Sequence, residues 1–193
     1  MIHLLLLALA ASLIHATAPV AGDPLETRTA PPMATAPTLR APPGGAFGAA
    51  LVVEGGRIYV GAPGEVELFP MPPNRPGAVV VLEPAGDGGW REAARVTGAP
   101  SAIGDGFGSA LAVDGATLVV GAPRTDRAKG AVYVFTRSAA GWARAARLED
   151  ADGAAGDRFG AAVAVEGDRI LVGAPGRAGG RGAVVAFRRS GDG

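Results

Sequence analysis

The chain has 193 residues, a length that suits one or two domains, and its 18 Lys+Arg balance 18 Asp+Glu to a formal net charge of zero. That balance removes the basic excess that nucleic acid or an anionic membrane surface requires. The absence of Cys excludes disulfides, thiolate metal sites and Cys nucleophiles. Hydrophobic residues make up 48%, enough for a core, while 31 Gly and 16 Pro point to a chain rich in turns.

From Leu4 to Ile14 the chain is apolar except for Ser12. The run is too short to cross a bilayer, which takes about 20 residues, but it suits the core of a signal peptide. Ala16-Thr17-Ala18 supplies a small-x-small cleavage site, so residues 1–18 read as a secretory signal, although Met1-Ile2-His3 lacks the usual Lys or Arg. The two His, His3 and His15, both lie in this leader. The mature chain therefore has no Ser-His-Asp triad, Cys-His pair or ordinary zinc site, which weighs against an enzyme. Residues 19–45 carry seven prolines and read as an extended linker, with Thr35–Arg40 a candidate edge strand.

A repeat organises residues 46–193. Phe47-Gly48, Phe107-Gly108 and Phe159-Gly160 are each followed by a Gly-Ala-Pro, at Gly61 to Pro63, Gly121 to Pro123 and Gly173 to Pro175. The step from Phe to that Gly is 14 residues in all three copies. Gly-Ala-Val then opens another apolar run at Gly77, Gly130 and Gly182, and Trp90 and Trp142 open a fourth segment in the first two copies. Each copy reads as short strands. The first runs from the Phe with large residues on one face (Leu51 and Val53; Leu111 and Val113; Val163 and Val165) and small ones on the other. A sheet apolar on both faces is covered on both. Tight turns at Glu54-Gly55-Gly56, Asp114-Gly115-Ala116 and Glu166-Gly167-Asp168 lead into second strands that end at Gly-Ala-Pro, because Pro cannot donate to a ladder. The third strands start at Ala78, Ala131 and Ala183, and the fourth run from Trp90 to Val96 and from Trp142 to Leu148, where Arg91, Arg95 and Arg147 guard an edge. The expected fold is all-β: four-stranded antiparallel blades of a β-propeller, about three of them (46–98, 106–148 and 158–189), forming an incomplete propeller.

Phe-Gly, a 14-residue step, Val-Gly-Ala-Pro and then Gly-Ala-Val resemble the FG-GAP repeat of integrin alpha-chain propellers and of bacterial secreted proteins; Asp152 to Gly160 is similar to the bacterial form. The resemblance covers about 46–189 and gives Phe47, Gly48, Gly61, Pro63, Phe107, Gly108, Gly121, Pro123, Phe159, Gly160, Gly173 and Pro175 as the structural residues of the repeat. It implies a secreted or extracytoplasmic location, at the cell surface or in the periplasm, and a role in adhesion or ligand binding. The implied partners are a protein or glycan at the cell surface, and further blades of a longer chain or a second copy. Calcium-binding integrin blades carry an Asp-rich loop between FG and GAP; here that space holds a short turn, so that calcium site does not carry over.

Four features are candidates for chemistry. Asp150, Asp152 and Asp157, beside Glu149, are candidate calcium ligands, against the reading of a solvated loop in which Asp157 caps a turn, as Asp105 does in the preceding copy. Asp126, Lys129, Arg177 and Arg181 read as ordinary exposed loop residues. Trp90 and Trp142 suit either packing or stacking on a sugar ring. The insertion Gly64–Pro76 holds Val66, Leu68, Phe69 and Met71 among four prolines, and reads as a binding loop or as a loop folded back on its own blade.

The expected function is a non-catalytic binding or adhesion module without a bound cofactor other than the candidate calcium. The alternatives are a propeller module of a larger secreted hydrolase or a structural envelope scaffold. Mature protein is expected to begin at Pro19. N-terminal sequencing of protein recovered from an exporting bacterial host checks this, and Met1 or Ile2 at the terminus would exclude cleavage.

Overall fold

The computed structural model describes residues 45–64, 76–86, 88–98 and 104–189. The signal segment, Thr35–Arg40 and the insertion residues Val66, Leu68, Phe69 and Met71 lie outside the described residues. The described chain forms three antiparallel sheets that follow one another in sequence. The first blade pairs β1 (Ala50–Glu54), β2 (Arg57–Ala62), β3 (Ala78–Pro84) and β4 (Trp90–Thr97) in that order. The second repeats the order with β5 (Ala110–Asp114), β6 (Thr117–Ala122), β7 (Ala131–Ser138) and β8 (Gly141–Leu148). The third holds β9 (Ala162–Glu166), β10 (Arg169–Ala174) and β11 (Ala183–Arg188). The fold is the expected all-β partial propeller.

One expectation needs correction. The Phe-Gly pairs do not start the first strand of each blade; β1, β5 and β9 begin three residues after the Phe. Gly48, Gly108 and Gly160 have φ of +94°, +95° and +89°, so the chain turns there before it enters the sheet. Each of these glycines donates its N–H to the carbonyl of its own blade's Gly-Ala-Pro glycine, Gly61, Gly121 or Gly173, at 3.0 Å. That bond ties the two halves of the motif together.

The core lies between the blades. Tyr59, Val79 and Val81 of the first blade meet Phe107, Leu118, Val120, Tyr133 and Phe135 of the second. Phe107 is fully buried, with its ring edge-on to Tyr133 at 5.4 Å and Phe135 at 6.0 Å. Val119 and Val132, on the other face of the second blade, meet Phe159 and Val172 of the third, and the ring of Phe159 lies 5.9 Å from that of Phe187. Phe107 and Phe159 therefore plug the junction with the blade before, while Phe47 packs on Val60, Val80 and Leu82 of its own blade. The second blade is covered on both faces, and every residue of β6 is buried. Adjacent blades touch mainly through their inner strands, β1 with β5 and β5 with β9.

The Gly-Ala-Pro glycines permit this packing. A Cβ placed on Gly121 would fall on the carbonyl oxygen of Gly160 in the next blade, and one on Gly61 would fall on that of Gly108. Neither glycine needs an unusual φ; the constraint is the close approach. Among the described residues nothing from another blade faces Gly173, and a Cβ there would meet only Ala162, with its Cβ at 3.3 Å. Gly121→Val is expected to destabilise by about 1–3 kcal/mol through overpacking, and Gly173→Val in dilute solution by clearly less. Chemical denaturation of the two variants side by side checks this; equal losses would mean that the inter-blade contact is not the cause.

Candidate functional site

The loops after the second strands and the segments leading into each Phe-Gly share one end of the blades. Three equivalent backbone bonds join them: Gly64 N–H to the Gly45 carbonyl at 3.3 Å, Arg124 to Asp105 at 3.0 Å and Gly176 to Asp157 at 3.0 Å. The second and third of these loops, read from sequence as ordinary exposed segments, are more organised than that. Asp126, Arg127 and Ala128 all have left-handed backbone, with φ of +50°, +58° and +62°. Ala178, Gly179 and Gly180 repeat this at +53°, +69° and +90°. Consecutive left-handed L-residues cost roughly 1–2 kcal/mol each, so other contacts must hold the turn. Ala128 donates to the Arg124 carbonyl at 3.2 Å and Gly130 to that of Thr125 at 3.0 Å, while the buried Thr125 hydroxyl donates to the Ala122 carbonyl at 3.0 Å. The carbonyls of Arg127, Ala128 and Lys129 then accept the N–H groups of Gly156, Arg158 and Phe159 at 3.1, 2.8 and 2.9 Å. The turn presents a row of acceptors to the segment that introduces the next blade.

The acidic cluster sits in that segment. Asp150 and Asp157 are buried, whereas Asp152 is exposed. Asp157 accepts the Ala154 N–H at 2.8 Å, which is the turn-capping role. Asp150 accepts the Asp152 N–H at 3.2 Å and is ion-paired with Arg177, whose guanidinium lies 3.7 Å from Asp152. Arg177 is thus not a free loop cation: it pins the third blade's loop to the linker between the second and third blades. Arg147 pairs with Glu149 and approaches Asp126 at 3.5 Å. Among the described residues no three carboxylates converge as a metal-binding group. A calcium ion at Asp150 would compete with a guanidinium already in place, so this donor set does not fit it.

At the opposite end, the acids of the β-hairpin turns bridge neighbouring blades. Glu54 accepts the Gly115 N–H at 3.0 Å, and Asp114 accepts the Gly167 N–H at 2.6 Å. From sequence these acids belonged only to their own turns. Asp168, in the third turn, accepts from Arg188 at 2.5 Å, and that hydrogen bond holds its carboxyl below the usual carboxylate range. Trp142 packs edge-on against Tyr59 of the preceding blade at 6.1 Å, and Trp90 packs against Val60, Val80 and Leu82; both are packing residues. Burial raises the Tyr59 phenol above its usual value.

The FG-GAP repeat model matches residues 90–135 and 142–187. These are FG-GAP repeats. Each matched unit begins at the outer strand of one blade, β4 or β8, and ends in the third strand of the next, so the FG-GAP sequence unit and the structural blade are out of phase by one strand. Phe47-Gly48 and Gly61 to Pro63 show the same spacing ahead of the matched residues. The search of curated proteins finds no significant match. Among the described residues no helix is long and apolar enough to cross a membrane.

Arg177→Met leaves Asp150 buried without its partner. Breaking a buried pair costs about 3–5 kcal/mol; because Arg177 keeps a quarter of its side chain exposed, a loss of about 2–3 kcal/mol is expected, partly recovered by adding Asp150→Asn. Denaturation midpoints of the single and double variants check this, and added millimolar-range calcium is expected to leave the wild-type midpoint unchanged.

Proposed function

We propose that the chain is a non-catalytic binding module that works outside the cytoplasm and holds a protein or glycan ligand of the cell surface through the loop end of its FG-GAP blades. The observation that carries this reading is the construction of that end. The loops of its second and third blades are fixed by backbone hydrogen bonds within and between blades, so their outward side chains are free to serve recognition. Arg124, Arg127 and Arg158 are exposed there beside Asp126, a mixed polar surface on a stiff frame. A pre-ordered loop loses little entropy when it binds. Secretion is supported by the signal-like leader and by the FG-GAP repeats, which are typical of extracellular proteins. The lack of His and Cys after residue 15 supports a role without catalysis.

Protein and glycan arrays probed with the whole chain test this. Binding is expected, and Arg127→Glu with Arg158→Glu is expected to weaken it by about tenfold or more, the scale of a contact worth over ~1 kcal/mol, with an unchanged melting temperature. A screen against esterase, protease, phosphatase and glycosidase substrates is expected to show no turnover. Turnover abolished by replacing one Asp or Glu would overturn the reading.

A further inference from the structure

Three copies of one repeat separate the side chains that a blade needs from those it does not. The residue before the Phe is Ala46, Gly106 or Arg158, and the residue after the Phe-Gly is Ala49, Ser109 or Ala161. The residue after the Gly-Ala-Pro is Gly64, Arg124 or Gly176. At each of these places two copies carry Gly or Ala and one carries a polar side chain. The blade forms with Gly or Ala there, so it does not require Ser109, Arg124 or Arg158.

These three residues nevertheless border one cleft of about 480 Å³ between the second and third blades, at the loop end. Pro123, Ala128 and Ala161 supply the rest of its lining. Both arginines stand on fixed backbone: Arg124 donates its N–H to the Asp105 carbonyl at 3.0 Å, and Arg158 to the Ala128 carbonyl at 2.8 Å. Gly106 leaves room for the Arg124 side chain. A Cβ on Gly106 would stand 3.0 Å from Arg124 Nε and 2.9 Å from the Ser109 hydroxyl, so the guanidinium and the hydroxyl flank one bare patch of backbone. Arg158 has φ +56°, a conformation that strains an L-residue and suits a glycine such as its counterpart Gly106 at +74°. Arg57, Arg91, Arg95, Arg147, Arg177 and Arg188 each meet a carboxylate. Among the described residues Arg124 and Arg158 meet none. Asp126, on the same turn, lies 3.5 Å from Arg147 instead. Two guanidinium-bearing residues without an anion, beside a hydroxyl, form the donor set of a carboxylate site, because the planar Arg fork matches a carboxylate two bonds at a time.

We infer that this cleft binds a hexuronate residue of an acidic glycan, with the sugar carboxylate between Arg124 and Arg158. The Ser109 hydroxyl bonds a ring substituent, and the C–H face of the sugar lies on Pro123, Ala128 and Ala161. An acidic peptide segment is met by basic groups spread along an extended groove. Here the basic groups border one short cleft whose remaining lining is apolar, which suits a compact body with a single carboxylate, hydroxyls and an apolar face. The inference names the ligand chemistry of the loop end and rests on the reading of that end as a binding surface.

Isothermal titration of the whole chain with sodium glucuronate, and with glucose as its uncharged counterpart, tests it. Three variants take the residue of a sister copy and so ask nothing new of the fold: Arg124→Gly, Arg158→Gly and Ser109→Ala. Wild type is expected to bind glucuronate at millimolar concentration and glucose about tenfold more weakly or worse, the scale of a hydrogen-bonded charge. Each Arg→Gly variant is expected to lose about tenfold in affinity for glucuronate, and Ser109→Ala less. Arg124→Lys, which keeps the charge without the fork, is expected to recover only part of the loss. Melting temperatures are expected to stay at the wild-type value, or to rise for Arg158→Gly as its backbone strain is relieved. Arg95→Gln, on the outer strand of the first blade, is expected to bind as wild type does. Absence of glucuronate binding overturns the inference, as does equal binding of glucose. Loss of melting temperature without loss of binding also overturns it, since that marks the arginines as structural. A polyglutamate peptide or inorganic sulfate held as tightly as glucuronate would overturn it in favour of an acidic protein ligand or a simple anion. A ligand captured on the arrays and held equally by Arg124→Gly would leave the binding-module reading standing while the acidic-glycan assignment fails.

Discussion

Everything in this fold depends on two backbones coming closer than any side chain allows. The glycine of Phe-Gly faces two ways. Its N–H bonds to the Gly-Ala-Pro glycine of its own blade, and its carbonyl lies over the Gly-Ala-Pro glycine of the blade before. One residue thus fixes both the shape of a blade and its distance from its neighbour. The Phe beside it fills the space that this approach creates, and the buried aromatic junctions at Phe107 and Phe159 follow. Alanine at the bare glycine would separate the sheets and open a void around the ring, so the loss would be felt as lost packing as well as a clash.

The same contact explains which spacings are fixed and which vary. Between the Phe and the Gly-Ala-Pro glycine the chain makes a strand, a two-residue turn and a returning strand, with Ala50 opposite Gly61, Ala110 opposite Gly121 and Ala162 opposite Gly173. One residue more or less would shift the register and turn the glycine off the interface face. The 14-residue step is therefore rigid. The loop after Pro63 carries seven residues more than its counterparts without disturbing the sheet, because that loop closes no register.

Much of this was legible in the chain. The positions of the hairpins and of the second, third and fourth strands follow from Pro, Gly and the apolar runs, which act locally. The structural role of Phe107 follows from its place in the repeat. What stayed hidden is what the sequence cannot encode locally. Asp126, Arg127 and Ala128 carry no signal for left-handed backbone, since only the bonds to Gly156, Arg158 and Phe159 make that conformation worthwhile. Glu54 and Asp114 look like turn residues because their true partners, Gly115 and Gly167, are 61 and 53 residues away. The pairing of Arg177 with Asp150 is hidden in the same way, and it braces the third blade's loop against the linker before it. The Phe-Gly pairs were placed on the strand because alternation continues through them; the positive φ of the glycine, which ends that alternation, has no hydropathy signature.

The bare glycine also separates stability from recognition. Cross-blade cohesion comes from buried rings, main-chain bonds and two hairpin carboxylates, so it makes few demands on the side chains at the loop end. Those side chains can change without disturbing the frame, which is the condition under which a scaffold hosts different ligands. The frame itself is not uniform. Every residue of β6 is buried, whereas β10, its counterpart in the third blade, alternates between covered and open. Opening the second blade breaks packing with both of the other described blades, so it costs more than opening the three-stranded third blade, whose β10 is only partly covered. A partner that covers an end blade would stabilise that blade directly, and through the shared glycine–carbonyl contacts it would hold the register of the next.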